Sequence, residues 1–200
     1  MWVTIPTAGR DTLTDCIESC GVPRERIIVA LTRPNLTAPQ GCQTITDLGP
    51  INIHRWWNQG IHHAVAQGAR HVAVLNDDVL MKPDSLATLL DGMNGATLAS
   101  PGARRPGTQA ALHTNPSKHA PMVIDGSCWI INTTHGLRAD EGYRWWFGDN
   151  DLDLRARRDH HGVWIDPVPM THLHPTEATR ASEQLTTLAK ADQIRWERAQ

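Results

Sequence analysis

The sequence lacks most of what would send a chain to a membrane, a secretory compartment or a nucleic acid. No window approaches the roughly 18 apolar residues of a membrane span. Its start, Met1-Trp2-Val3-Thr4-Ile5-Pro6, has no basic segment followed by a long apolar core, so no signal peptide is expected. The four cysteines, Cys16, Cys20, Cys42 and Cys128, form no C-x-x-C pair. They read as reduced thiols of a cytoplasmic protein rather than a zinc site or disulfide framework. A formal net charge of −2 gives no global drive toward nucleic acid or anionic lipid. There is one Tyr and one Phe against eight Trp, so the aromatic roles fall to tryptophan, which can fill a core or stack on sugars and bases. No acid occurs in residues 101–121, which carry Arg104, Arg105, His113, Lys118 and His119 and show no periodicity. That stretch reads as a long basic loop. No repeat, low-complexity tract or linker divides the 200 residues, which predicts one domain over 1–200 with a sizeable core.

The central feature that is present is His71-Val72-Ala73-Val74-Leu75-Asn76-Asp77-Asp78-Val79. An unbroken apolar run predicts a strand buried on both faces of an α/β sheet. Carboxylates at the carboxyl end of such a strand stand where open α/β sheets bind ligands.

Around it the pattern alternates. Trp2 to Ile5 predicts a first strand stopping at Pro6, a helix follows from Asp11 or Thr12 to Cys20, and Arg26 to Leu31 predicts a second strand. Strand, helix, strand is the opening of a parallel, right-handed βαβ unit. Gln43 to Thr46 is a short strand, and Asn52 or Ile53 to Gln67 a helix closed by Gly68. Pro83-Asp84-Ser85 starts another helix. Ala96 to Ser100 and Val123 to Asn132 are strand-like, and a helix runs from about Asp149 to His161. Short strands at Val163 to Ile165 and Val168 to Leu173 follow, then a polar C-terminal helix over about 176–200.

Three groupings capable of chemistry fall on one expected sheet edge. Asp77 and Asp78 follow the central strand, Asp149 and Asp151 start a helix, and His172 and His174 lie near a late strand. The two histidines are two apart and face one side if extended. Hard oxygen ligands with one imidazole suit Mn²⁺ or Mg²⁺. A carboxylate apart from the metal can act as general base.

The order of these groups resembles the family 2 glycosyltransferases with the GT-A fold. The resemblance lies in Val3-Thr4-Ile5-Pro6-Thr7-Ala8-Gly9-Arg10, Asn58-Gln59-Gly60-Ile61, Ala66-Gln67-Gly68-Ala69, Val74-Leu75-Asn76-Asp77-Asp78-Val79, Asp125-Gly126-Ser127-Cys128 and Phe147-Gly148-Asp149-Asn150-Asp151-Leu152-Asp153-Leu154-Arg155. It implies a Rossmann-like, mostly parallel central sheet flanked by helices. It also implies a hexosyltransferase-type enzyme that inverts the anomeric centre, with a nucleotide-diphosphate sugar as donor. Asp78 with His172 or His174 would hold Mn²⁺ or Mg²⁺, which supplies a Lewis acid for the leaving diphosphate. Thr7, Gly9, Arg10, Asn58, Asn76, Asp77, Asp125 and Gly126 would contact the donor. Asp149 would be the base, with Asp151 beside it.

The sequence departs from the family pattern in three places. The first acid of the metal motif is Asn76, the Glu of the Glu-Asp pair is Gly148, and the acidic loop after the second strand is Thr32-Arg33-Pro34-Asn35. The acceptor would be a hydroxyl on a saccharide, or on a hydroxylated DNA base held by Arg104, Arg105, Lys118 and Trp145 or Trp146. Two rival readings use the same residues: a nucleotide-sugar-binding module without catalysis, and a metal-dependent hydrolase.

Overall fold

The computed structural model describes residues 1–102, 109–115 and 122–199. Arg104, Arg105, Lys118 and His119 of the basic stretch lie outside the described residues.

The first half alternates strands and helices: β1 (Trp2–Thr7), α1 (Leu13–Ser19), β2 (Ile27–Leu31), β3 (Gln43–Thr46), α2 (Ile53–Ala66) and β4 (His71–Leu75). The second half adds β5 (Val79–Met81), α3 (Ser85–Gly92), β6 (Leu98–Ser100), β7 (Ala111–His113), β8 (Cys128–Asn132), α4 (Gly148–Asp159) and β9 (Val163–Ile165). The chain then forms β10 (Met170–His172), α5 (Glu177–Arg180) and α6 (Glu183–Arg198).

Eight strands form one sheet in the order β3-β2-β1-β4-β8-β6-β9-β7. The pairs β1·β2, β1·β4, β2·β3 and β6·β9 are parallel. The pairs β4·β8, β6·β8 and β7·β9 are antiparallel. This is the mixed, mostly parallel α/β sheet of a GT-A fold, with helices on both faces. β10 and β5 form a separate antiparallel pair.

The expected double burial of the central strand holds. Ala73 and Leu75 pack on one face with Val3, Ile5, Ile17, Leu86 and Leu89. Val72 and Val74 pack on the other with Trp57, Ile61, Trp129 and Leu152. Strand alternation sends neighbouring side chains to opposite faces, so each apolar residue of β4 has a helix layer to bury against. Each such burial stabilises by about 1.5–3 kcal/mol relative to exposure. On α2, Gly60 crosses β1 so closely that a Cβ would overlap the Thr4 hydroxyl.

Four boundaries differ from expectation. β1 continues through Pro6 to Thr7. Its pairing with β4 ends at Thr4↔Val74, while Thr32 N–H still donates to the Thr7 carbonyl on the β2 side at 3.1 Å. Pro6 therefore lies beyond the ladder in which its missing N–H would matter. The strand expected over 123–132 starts only at Cys128, because Asp125-Gly126-Ser127 forms a turn closed by Cys128 N–H on the Asp125 carbonyl. The basic 101–121 stretch contains β7. The C-terminal helix is two helices, restarted at Ser182, whose hydroxyl accepts from Leu185 N–H at 3.3 Å.

Candidate active site

A cavity of about 490 Å³ lies along the carboxyl ends of β2, β1 and β4 and extends to the turn before β8 and the start of α4. Sheet order arranges its wall. Thr32 and Arg33 follow β2, Thr7, Ala8 and Arg10 follow β1, and Asn76, Asp77 and Asp78 follow β4. Asp125, Gly126 and Ser127 precede β8, and Asp149 stands in the first turn of α4. Trp56, Trp57, Trp145, Trp146 and Phe147 supply an aromatic wall.

The pairing of β10 with β5 aligns His172 with Val79, and Leu173 N–H donates to the Asp78 carbonyl at 2.9 Å. His172 Nε2 consequently lies 3.1 Å from Asp78 Oδ1. On the other side Arg10 lies 3.5 Å from Asp77 and 3.6 Å from Asp78, and 3.9 Å from Glu177. Burial works against ionisation of Asp78, but the His172 hydrogen bond and the charges of His172 and Arg10 outweigh it and hold the carboxyl below its ordinary value. Asp77 is different. Burial, with the neighbouring Asp78 charge, raises it despite the Thr7 hydroxyl, which donates to Asp77 Oδ2 at 2.7 Å, and despite Arg10. Two adjacent carboxylates thus have unlike environments: Asp77 is tied into the fold by Thr7, while Asp78 is kept ionised beside an imidazole.

Asp149 lines the same cavity, against Gly126. It is half-buried at the cavity wall, and a Cβ at Gly126 would overlap Oδ2. Burial pushes the Asp149 carboxyl up to about 6, with Asp125 and Asp153 adding to the rise, against the Asn150 N–H that donates to Oδ1 at 3.0 Å. A carboxyl tuned toward neutrality beside a cavity can exchange a proton with a ligand there.

The cavity brings together Thr7, Arg10, Asn76, Asp77, Asp78, Asp125, Gly126, Asp149, His172 and His174. The cavity lining does not include Gly9, Asn58 or Asp151. Gly9, at φ +92, turns the chain so that its N–H reaches Thr7 Oγ1 at 3.0 Å. Asn58 ties α2 to the segment before α4: its amide N–H donates to the Ala139 carbonyl and to Glu141, and its carbonyl accepts from Ala139 N–H. Asp151 accepts from Arg155 Nε at 2.7 Å, one helical turn on. The two histidines also separate. β10 ends at His172, so extended alternation ends there too, and His174 turns to Glu177 at 2.8 Å.

Other parts of the site have no signal in the sequence. Asp192 on α6 is buried and accepts from three consecutive amides, Arg144 (3.1 Å), Trp145 (2.7 Å) and Trp146 (2.9 Å). It thereby shapes the aromatic wall. Trp145 Nε1–H donates to Thr179 at 2.8 Å, linking the same wall to α5. At Gly148 a Cβ would overlap the His54 ring. His54 Nδ1–H donates to the Tyr143 carbonyl at 2.9 Å, and burial keeps the ring neutral.

Among the described residues no group of three or more His, Cys, Asp or Glu side chains is arranged to hold a metal ion. Asp78 and His172 alone would be a poor all-protein cage. They suit a hard divalent cation that takes its remaining ligands from substrate phosphates and water, as Mg²⁺ sites commonly do.

No family model matches the chain, and no curated protein matches it in sequence. Solved structures do match it in fold. Staphylococcus aureus TarS 1-349 superposes with a TM-score of 0.62 at 10% identity, covering 93% of this chain and 64% of that one. The same protein in complex with UDP gives 0.62 at 12% identity, covering 94% and 65%. GalNAc-T7 with UDP, GalNAc and Mn²⁺ gives 0.59 at 13% identity, covering 82% and 42%. The chain therefore spans less than two thirds of these structures. At such identities the likeness is one of fold, and the fold it shares is the GT-A fold.

Proposed function

We propose that this chain is a metal-dependent glycosyltransferase that moves a sugar from a nucleoside diphosphate to an acceptor hydroxyl with inversion. The observation that carries this reading is the Asp78–His172 pair and the Asp149 carboxylate, packed against Gly126, lining one cavity. The fold relatives bound to UDP, and to UDP with Mn²⁺, support the same class.

Asp78 and His172 would hold Mn²⁺ or Mg²⁺, which when bound neutralises the diphosphate leaving group as a Lewis acid. Arg10, already beside both carboxylates, can turn its guanidinium to the phosphates. Asp77, fixed by Thr7, and Asn76 stand where a ribose or sugar hydroxyl would donate or accept. Asp149 would take the proton from the acceptor hydroxyl as that oxygen attacks the anomeric carbon. Of the neighbouring acids, Asp151 is paired with Arg155 and Asp125 accepts from Ser127. Asp149 is the acid here whose raised value best suits a base. Trp145, Trp146 and Phe147 offer flat surfaces for a saccharide ring or a base. Trp146 is 41% exposed.

We place the reaction in the cytoplasm as one hexosyltransferase-type domain. All four cysteines are free, and no helix among the described residues is long and apolar enough to cross a membrane.

The test is release of nucleoside diphosphate from a panel of nucleotide sugars with Mn²⁺, with and without saccharide or hydroxymethylated-DNA acceptors. Sugar transfer that stops in Asp149→Asn supports the reading. Release of inorganic phosphate or ester cleavage with no sugar transferred identifies a hydrolase instead. Nucleotide-sugar binding without turnover, indifferent to Asp149→Asn, identifies a binding module.

A further inference from the structure

We infer that Arg33 selects the donor base, favouring a nucleoside diphosphate whose base offers two adjacent hydrogen-bond acceptors, guanine or cytosine, over uracil and adenine. This rests on the nucleoside diphosphate reading above.

The order β2-β1-β4-β8 places Asp78 in the middle of the cavity, with Gly126 and Asp149 on the β8 side. If the transferred sugar lies toward Asp149, the nucleoside lies the other way, along β1 and β2. Two strand spacings separate the ends of β4 and β2, on the order of 10 Å. That is the reach from a diphosphate through a ribose to a base.

Arg10 also lines this side but is drawn to Asp77 and Asp78. The rest of the wall, Pro6, Thr7, Ala8, Thr32 and Arg33, contains no carboxylate. Its hydroxyl hydrogens are committed. Thr7 donates to Asp77 at 2.7 Å and Thr32 donates to the Thr7 carbonyl at 2.8 Å. Asp47, after the adjoining β3, is held by Arg55 at 2.6 Å and by Gln59 at 3.0 Å. Arg33 is exposed, lines the cavity and has no ion pair among the described residues. The side-chain donors available to a base on this wall are thus those of one guanidinium.

A guanidinium presents parallel N–H groups that match two neighbouring acceptors, such as guanine O6 and N7. Cytosine O2 and N3 form a similar pair. Uracil instead sets its N3–H donor between O2 and O4, and adenine sets an amino group beside N7 or N1. Each of these points a hydrogen at the cation.

The experiment is calorimetric titration of the whole chain with GDP, CDP, UDP and ADP in Mn²⁺, for wild type, Arg33→Ala and Arg33→Glu. GDP or CDP should bind roughly tenfold or more tightly than UDP and ADP. Arg33→Ala should bring the four affinities together, and Arg33→Glu should remove any preference for CDP, because a carboxylate repels cytosine O2 and N3. Arg33 is exposed, so an unchanged melting temperature without nucleotide will show both variants folded. If all four bind wild type alike, or if the preference survives in Arg33→Ala, the base-selection role is wrong while the transferase reading stands. If none of the four binds with or without Mn²⁺, both fall.

Discussion

Gly126 and Asp149 interlock: the turn before β8 leaves a side chain's worth of space, and the Asp149 carboxylate fills it. Gly126→Ala should therefore push the base out of line without disturbing Asp78 or His172. Positional errors of about 1 Å at a reacting group cost on the order of 100-fold. Turnover should fall by about that factor while Mn²⁺-dependent donor affinity stays within about threefold. Calorimetry alongside single-turnover rates will separate the two. Equal loss of both would mean the turn carries the donor rather than the base.

The Asp149 carboxyl gives a pH dependence with a defined sign. Its value rises from 3.8 to about 6 in the fold. As a base it must be ionised, so the rate should climb through pH 6 and level off above it, and Asp149→Asn should lose this limb together with about 10²–10⁴-fold of turnover. The same shift is a cost to folding. The folded chain binds this proton more tightly than the unfolded one, so the benefit is complete below about pH 4 and is lost as pH rises through 6. At pH 8 Asp149→Asn should be more stable than wild type, by at most about 3 kcal/mol. Denaturant melts at pH 4 and pH 8 will check it, since the gain should vanish at pH 4.

His172 and His174 should behave unequally. His172 shares Asp78, and His174 shares Glu177. Asp78→Ala should abolish the Mn²⁺-dependent part of donor binding, and His172→Ala should weaken it by about tenfold or more. His174→Ala should change it little. Mn²⁺ alone should bind wild type weakly, because two side chains leave most of its coordination to phosphate and water. Titrations of Mn²⁺ with and without nucleoside diphosphate will show this, and equal effects of the two histidine variants would contradict it.

Gly148 is packed with no room for a side chain. Its neighbour His54 is buried, bonded to the Tyr143 carbonyl and set edge-on to Trp57. Gly148→Glu should destabilise the chain by about 1–3 kcal/mol through overpacking. His54→Ala in the same chain should recover part of that loss, because it removes the ring the new Cβ meets. Thermal melts of the two single variants and the double variant will measure the coupling. Additive losses would show that His54 is not the obstacle.

These relationships divide the site by how far each signal travels along the chain. The parallel core and the acids at its edge were legible because each rests on a local pattern: an apolar run for β4, helical spacing for α2, carboxylates at a strand end. Asp78 and Asp149 were placed at the cavity's edge that way, whereas Gly126 came only with the family resemblance. The choice between His172 and His174 was not legible, since it depends on β10 pairing with β5 about 90 residues earlier. Asn58 and Asp151 were expected at the site, but they bond to Ala139, Glu141 and Arg155 and do not line the cavity. Pro6 looked like a strand end because the local rule cannot know where the neighbouring ladder stops.

Asp192 is the residue least visible in the sequence, one acid on a polar helix. In the fold its carboxylate gathers the amides of Arg144, Trp145 and Trp146, just before α4 begins. Without that carboxylate the three part-buried amides lose their shared acceptor, and a buried donor left unpaired costs about 1–3 kcal/mol. Asp192→Ala should cost on the order of 2–4 kcal/mol. Asp192→Asn, with one carbonyl oxygen and no charge, should cost less. A merely structural anchor would lower the melting temperature and leave kinetics of the surviving folded enzyme intact. If Asp192 sets the aromatic wall, Asp192→Asn should raise KM for the acceptor severalfold while donor affinity and the pH limb of Asp149 stay unchanged. Tryptophan fluorescence quenched by acceptor should weaken in parallel, and an acceptor KM equal to wild type would reduce Asp192 to a fold anchor alone.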